Sequence, residues 1–196
     1  MGTSKIDQLL AHLPRRCLRA PRSSRVSVPD RPVLRAGTCR HRSRDRRVGA
    51  RPHADGLSAT AYPSGVKGTP VEIAEAITPL IFWKKELRPG SGGQGRTRGG
   101  LGQNIEIESG IGEPFELLAA FDRIEHPPRG RNGGGAGAPG VVAIKGGGKM
   151  RGKGTQLIRP GERLVVMTPG GGGLGAPDAR DAALIASDLR EGRTNR

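Results

Sequence analysis

The sequence predicts an α+β fold with mostly antiparallel, meander-like strands, glycine-rich turns, a C-terminal helix and a disordered, Arg-rich N-terminus. The strands are predicted because short apolar or alternating runs recur between glycine and proline clusters from residue 49 onward. The helix is predicted because apolar residues follow Pro177 and Asp178, which suit a first helical turn. Disorder is predicted because residues 1–48 carry 12 Arg, 1 Lys and 3 Asp with little apolar surface.

The helices and strands each have a local signal. Pro70 opens a short helix over residues 71–77, with glutamates in or near its first turn, and Pro79 ends it. Residues 105–108, which read Ile-Glu-Ile-Glu, alternate with the period of a half-buried strand. The other predicted strands cover residues 80–87, 115–124, 141–145, 156–159 and 164–167.

A glycine-rich turn separates the last predicted strand from the C-terminal helix. Gly170, Gly172 and Gly175 match the spacing of a dinucleotide-binding loop, in which bare backbone N–H groups approach a phosphate. That loop also requires a second strand ending in an acidic residue, and no such strand follows here. The three glycines are therefore candidates for an anion-binding turn, and a structural turn is the favoured interpretation.

A polar loop holds the candidate substrate-binding residues Asp55, Ser58, Tyr62 and Ser64. Their spacing does not define a Ser-His-Asp triad. The catalytic residues therefore stay unassigned, and the loop is a candidate only for contact with a substrate.

No metal site is predicted, because the cysteines Cys17 and Cys39 match no standard zinc spacing with the nearby His41. Two cysteines also provide no disulfide framework, which fits a cytoplasmic setting. No apolar run reaches the roughly 18–20 residues that span a bilayer, so no membrane association is expected.

Positive charge is concentrated in residues 1–48, which carry +10 of the formal net charge of +15 and leave +5 for residues 49–196. A flexible arm with thirteen basic residues would bind nucleic acid non-specifically and in a salt-dependent way. The arm has no Phe, Trp or Tyr to stack on bases. A basic nucleic-acid-binding protein is therefore the alternative function.

Three long ordered strings follow one another from Gly49 onward: GARPHADGLSATAYPSGVKGTPVEIAEAI with its continuation to Gln103, then AAFDRIEHPPRGRNGGGAG, and then KGTQLIRPGERLVVMTPGGGGLGAPDARD. Together they resemble the C-terminal part of the hydantoinase B/oxoprolinase family. The resemblance implies a subunit of an ATP-dependent enzyme that opens a cyclic amide, such as N-methylhydantoinase or 5-oxoprolinase, or that carboxylates a ketone. It also implies a hydantoinase A-type partner subunit that uses the ATP.

The departures from the family set the expected domains. Family B subunits are more than twice this length, and their N-terminal half carries His and Asp residues associated with a divalent metal; nothing similar precedes Gly49. We therefore expect residues 1–48 to be a non-native, frame-shifted reading, residues 49–192 to be the C-terminal part of a family domain, and residues 193–196 to be a tail left by a premature stop. Such a truncated chain is expected to bind no cofactor itself and to be inactive alone.

Overall fold

The computed structural model describes residues 49–60 and 69–194. Every pair of named strands is antiparallel, and a helix lies near the C-terminal end, which confirms the predicted α+β class. The predicted disorder concerns residues 1–48, which lie outside the described residues. The elements are α1 (Val71–Ile77), β1 (Leu80–Arg88), β2 (Gly102–Ser109), β3 (Phe115–Ala120), β4 (Val141–Ile144), β5 (Lys153–Ile158), β6 (Leu164–Met167), a 3-10 helix (Pro177–Ala179) and α2 (Ala182–Arg190).

The strands form two sheets rather than one meander. Four strands pair in the order β1-β2-β6-β4, and β3 pairs with β5 in a separate two-stranded sheet. The predicted meander is therefore wrong, because only β1 and β2 are neighbours in both sequence and sheet. Strand β6 inserts between β2 and β4, and this pairing brings the glycine turn after β6 into the middle of the molecule.

The hydrophobic core lies between the two sheets. The four-stranded sheet contributes Ile105, Val142, Leu164 and Val166. All four are buried, because alternate residues of a β-strand point to the same face of the sheet. The two-stranded sheet contributes the buried residues Phe115 and Ile158. Each such side chain stabilises the fold by roughly 1.5–3 kcal/mol relative to full exposure.

The outer face of the four-stranded sheet carries a cluster of charged side chains around Trp83. The alternation in β2 places Glu106 and Glu108 on the face opposite the core isoleucines. The Trp83 indole donates to Glu108 at 2.6 Å, and the guanidinium of Arg163 lies 4.3 Å from the ring centroid. A hydrogen bond from Lys145 is the main cause that lowers the pKa of Glu106.

Both outer strands of the four-stranded sheet have a partner on their free side. Helix α1 lies beside β1, where the Glu75 carboxylate accepts a hydrogen bond from the Phe82 N–H at 2.7 Å. After β4 the chain folds back, so that the Met150 N–H donates to the Val142 carbonyl at 2.8 Å. Each edge of the sheet is thereby partly covered.

Helix α2 begins later than the sequence indicates. Pro177 and Asp178 form the 3-10 helix instead of the first α-helical turn, and Arg180 is extended with ψ 133°. Asp181 is the true N-cap, because its side chain accepts the Ala183 N–H at 2.8 Å. The extended Arg180 can therefore turn its side chain back toward the body of the protein.

Candidate functional site

Three glycine-rich segments pack backbone against backbone in what we call the glycine lattice, residues 90–102, 129–140 and 169–175. The Gly93 N–H donates to the Gly171 carbonyl at 2.8 Å, and the Gly173 N–H donates to the Gly135 carbonyl at 2.9 Å. The Gly135 N–H in turn donates to the Gln94 carbonyl at 2.7 Å. These bonds satisfy buried backbone groups that no strand ladder reaches.

The lattice requires glycine because its segments leave no room for a side chain. A Cβ at Gly170 would lie 1.7 Å from the Ser91 carbonyl oxygen, and one at Gly99 would lie 2.0 Å from the Gly171 carbonyl oxygen. These obstacles are backbone atoms, which cannot rotate away. The high glycine content of this part of the chain is therefore a packing requirement.

The candidate anion-turn glycines lie inside this lattice. The Gly170 N–H donates to the Ala138 carbonyl, and the Gly175 N–H donates to the Arg131 carbonyl, each at 3.0 Å. The Gly172 carbonyl accepts the Ala50 N–H at 2.9 Å. In this arrangement, the N–H groups of Gly170 and Gly175 are engaged by protein carbonyls, which leaves them no free direction toward a phosphate.

A cluster of two arginines and two aspartates, the Arg–Asp cluster, consists of Asp55, Arg98, Arg180 and Asp188, of which Arg98 and Asp188 are buried and the other two are half-buried. Arg180 donates to both Asp55 oxygens at 2.9 and 2.8 Å and to Asp188 at 2.6 Å. Arg98 donates through Nε to Asp188 at 3.1 Å and through its backbone N–H to Asp55 at 2.7 Å. Asp188 is the only described α2 residue that is buried, so the cluster anchors this helix.

The cluster keeps Asp55 ionised. Burial alone raises the pKa of the Asp55 carboxyl, but hydrogen bonds from the Arg180 guanidinium and the Arg98 N–H outweigh burial, so the pKa lies below its usual value. An aspartate held in this state accepts hydrogen bonds well but takes up a proton reluctantly. It is thus suited to positioning rather than to general base catalysis.

Two of the four predicted substrate-loop residues are tied to the glycine lattice. Ser58 Oγ accepts the Leu101 N–H at 2.9 Å, and Asp55 belongs to the Arg–Asp cluster. The other two, Tyr62 and Ser64, lie outside the described residues. Sequence reasoning did not find Arg98, Arg180 or Asp188, because no local spacing links Asp55 to partners 43 and 125 positions away.

A cleft of about 680 Å³, which no sequence pattern predicts, lies between the loop that follows β3 and the ends of β4 and β6. Its apolar lining is buried or half-buried, whereas its charged lining residues are exposed. The apolar residues include Phe121, Ile124, Val142 and Met167, and the polar ones include Asp122, Arg123, Glu125, His126 and Lys153. The signal that could have indicated this loop is the run DRIEH, four ionisable groups in five positions.

The part of the chain that the structure describes has neither a cluster of metal ligands nor a membrane-spanning helix. Residues 49–60 and 69–194 contain no group of three or more His, Cys, Asp or Glu side chains that could hold a metal ion. The implied divalent metal therefore has no fitting ligand set in these ranges. No helix within them is both long enough and apolar enough to cross a bilayer.

The fold and site define a β-rich α+β module that is built around a glycine lattice and closed by an Arg–Asp cluster. The family model for hydantoinase B/oxoprolinase matches residues 47–177, which is more than half of the chain. This chain belongs to the hydantoinase B/oxoprolinase family.

Curated relatives give the same assignment. A 5-oxoprolinase of Pestalotiopsis fici is 36% identical over 141 residues, covering 67% of this chain and 11% of the relative. The caprolactamase subunit beta of Pseudomonas jessenii is 30% identical over 142 residues, covering 62% of this chain and 22% of the relative. The chain thus spans between about a tenth and a quarter of the length of these relatives.

Two solved structures share the fold. The ATP-dependent caprolactamase of Pseudomonas jessenii matches with a TM-score of 0.65 and 24% identity, over 76% of this chain and 28% of that one. A nucleotide-free acetone carboxylase matches with a TM-score of 0.52 and 20% identity, over 72% of this chain and 24% of that one. At these identities the likeness defines the fold alone.

Proposed function

We propose that this chain is part of a subunit of an ATP-dependent enzyme that opens cyclic amides, of the hydantoinase or 5-oxoprolinase type. The observation that carries the proposal is the family match over residues 47–177, together with relatives that are named as 5-oxoprolinase and caprolactamase. The ATP would be used by a hydantoinase A-type partner subunit, and the setting would be the cytoplasm.

Within that enzyme, the described residues act as a scaffold. Opening a cyclic amide requires a polarised carbonyl and an activated water, and a general base works best with a pKa near the working pH. The carboxylates of Asp55 and Glu106 have lowered pKa values and are bonded to arginine or lysine. We therefore assign positioning to these two carboxylates, and activation of water and ATP to other groups of the enzyme.

A chimera tests the proposal. The segment of the Pseudomonas jessenii caprolactamase subunit beta that matches this chain would be replaced by residues 49–194, and lactam-dependent ATP hydrolysis would be measured with the partner subunit present. We expect activity above that of a matched chimera carrying Gly170→Ala, which breaks the glycine lattice. A folded chimera without activity would contradict the proposal.

A second assay tests the expected inactivity of the chain itself. The purified 196-residue protein would be incubated with ATP and 5-oxoproline or N-methylhydantoin, with and without an A-type subunit, and ring-opened product would be quantified. No turnover by the chain alone is expected. Robust turnover would show that it carries its own reactive groups.

A further inference from the structure

We propose that the cleft lined by Arg123, Glu125 and His126 binds the ring of a neutral cyclic amide. The inference rests on the proposed function, which gives the chemical class, and on the shape, charge and free hydrogen-bonding groups of the cleft, which give the place. It assigns this loop a contact with the ligand and no chemical step.

The shape suits a small cyclic molecule. The volume of about 680 Å³ lies within the 300–1,000 Å³ typical of ligand pockets. Phe121, Ile124, Val142 and Met167 supply an apolar lining for ring methylenes, and this lining continues into the hydrophobic core through Val142. The ring would thus lie against a rigid apolar wall.

The charge balance favours a neutral ligand over a nucleotide. Two acids, Asp122 and Glu125, face two bases, Arg123 and Lys153, and Lys153 already pairs with Asp122 at 2.5 Å. A triphosphate site needs an excess of positive charge and converging backbone N–H groups. The cleft has no such excess among its described lining residues.

The free side chains match the polar edge of a ring amide. Within residues 49–60 and 69–194, the side chains of Arg123, Glu125 and His126 form no hydrogen bond or ion pair. An amide in a small ring is cis, so its N–H and C=O lie on the same edge. Glu125 can accept from that N–H while Arg123 or His126 donates to that C=O.

The loop backbone is held in place before any ligand arrives. Arg123 adopts φ 63°, a left-handed conformation that is uncommon for a residue with a side chain. Its carbonyl accepts the Gly140 N–H at 2.9 Å, and Ile124 packs against the core. Strain of this kind persists where the surroundings enforce it, and pre-organisation lowers the ordering cost of binding.

Direct binding to the full 196-residue protein tests the inference. The probes are ε-caprolactam and hydantoin as neutral ring amides, 6-aminohexanoate as an open-chain control, and ATP, each titrated and followed by ligand-observed NMR.

Arg123→Gly removes the guanidinium and keeps a residue that tolerates φ 63°. Its matched control is Asn132→Gly, a second left-handed position that is not among the cleft residues. Glu125→Ala is paired with Glu113→Ala, an exposed glutamate that likewise lies outside the lining.

We expect both lactams to bind, and we expect Arg123→Gly and Glu125→Ala each to weaken binding about tenfold, as for loss of a hydrogen bond to a charged group. The two control variants should stay within twofold. Circular dichroism would verify that each variant is folded. No lactam binding by the folded wild type, unchanged binding in both cleft variants, or preferential binding of ATP would each overturn the inference.

The result is separable from the proposed function. An active chimera together with an empty cleft would overturn this inference and leave the proposed function intact. Lactam binding in the cleft together with an inactive chimera would do the reverse.

Discussion

Arg180 holds both carboxylate oxygens of Asp55 across 125 positions of the chain, with nitrogen–oxygen distances of 2.9 and 2.8 Å. The same guanidinium also contacts Asp188 in α2 at 2.6 Å. One side chain therefore joins the first described segment to the C-terminal helix. The glycine lattice between them is bonded to the same cluster through Arg98.

Asp55→Asn should destabilise the protein by about 1.5–3 kcal/mol, because removing the charge from a half-buried, hydrogen-bonded pair leaves its arginine partners under-compensated. Urea denaturation would measure the change in the free energy of unfolding. Asp178→Asn is the matched control, since Asp178 is exposed in the 3-10 helix, and it should change little. Equal stability of the two variants would show that the cluster contributes nothing.

The free energy of unfolding should decrease as the pH is lowered, and part of that decrease should depend on Asp55. The folded-state pKa of Asp55 lies below its ordinary value of 3.8, so the ionised form stabilises the fold. This contribution is complete above the unfolded-state pKa and is lost as the pH falls through the folded-state pKa, in the range from about pH 5 downward. Free energies of unfolding measured across that range should fall less steeply for Asp55→Asn. A slope identical to that of the wild type would contradict the prediction.

Gly170→Ala should cost about 3 kcal/mol or prevent folding, because its Cβ would lie 1.7 Å from the Ser91 carbonyl oxygen. Thermal unfolding followed by circular dichroism would measure the loss. Gly148→Ala is the control, since a Cβ there meets nothing within 4 Å. A well-tolerated Gly170→Ala would mean that the lattice can open.

Arg163→Met should change the fluorescence of Trp83, the single tryptophan of the chain. The substitution removes the cation at 4.3 Å from the ring and the bond from Arg163 to Glu108, so the ring becomes more exposed and its emission shifts to the red. The stability cost should be about 0.5–1 kcal/mol, as for an exposed cation–π pair. Arg159→Met is the control, and an identical shift there would exclude the stacking contact as the cause.

Removing residues 1–48 lowers the formal net charge from +15 to +5, a loss of 10. If this segment is the source of any affinity for nucleic acid, retention on DNA should disappear at every salt concentration while the circular dichroism of the remainder persists. Retention that survives the truncation would show that residues 49–196 bind nucleic acid themselves and would contradict the prediction.

The local elements could be predicted from the sequence because their signals are local. The helix expected over residues 71–77 is α1, bounded by Pro70 and Thr78, and the Ile-Glu alternation marks the two faces of β2. The sequence also indicates the glycine turn after β6, but spacing alone does not indicate that this turn packs against two other glycine-rich segments. Lattice contacts join segments about 40 to 80 residues apart, and glycine looks the same in a flexible loop and in a close backbone contact.

The candidate site was less predictable than the fold. The sequence indicates Asp55 and Ser58 as candidate residues because they are polar and lie in a loop. Their partners Arg180 and Leu101 have no sequence signature. The left-handed conformation of Arg123 is imposed by its surroundings and has no local code, unlike the glycines that mark ordinary turns. Topology, which inserts β6 between β2 and β4, is what assembles these groups.

Two contacts at the edges of the larger sheet affect how molecules of this protein associate in a concentrated solution. One is the bond from the Phe82 N–H to the Glu75 carboxylate, and the other is the return of the chain beside β4. Amyloid-like growth needs an outer strand that offers a row of vacant donors and acceptors to the next molecule. Here that row is interrupted on each outer strand of the larger sheet, which makes either edge a poorer template for a neighbouring molecule.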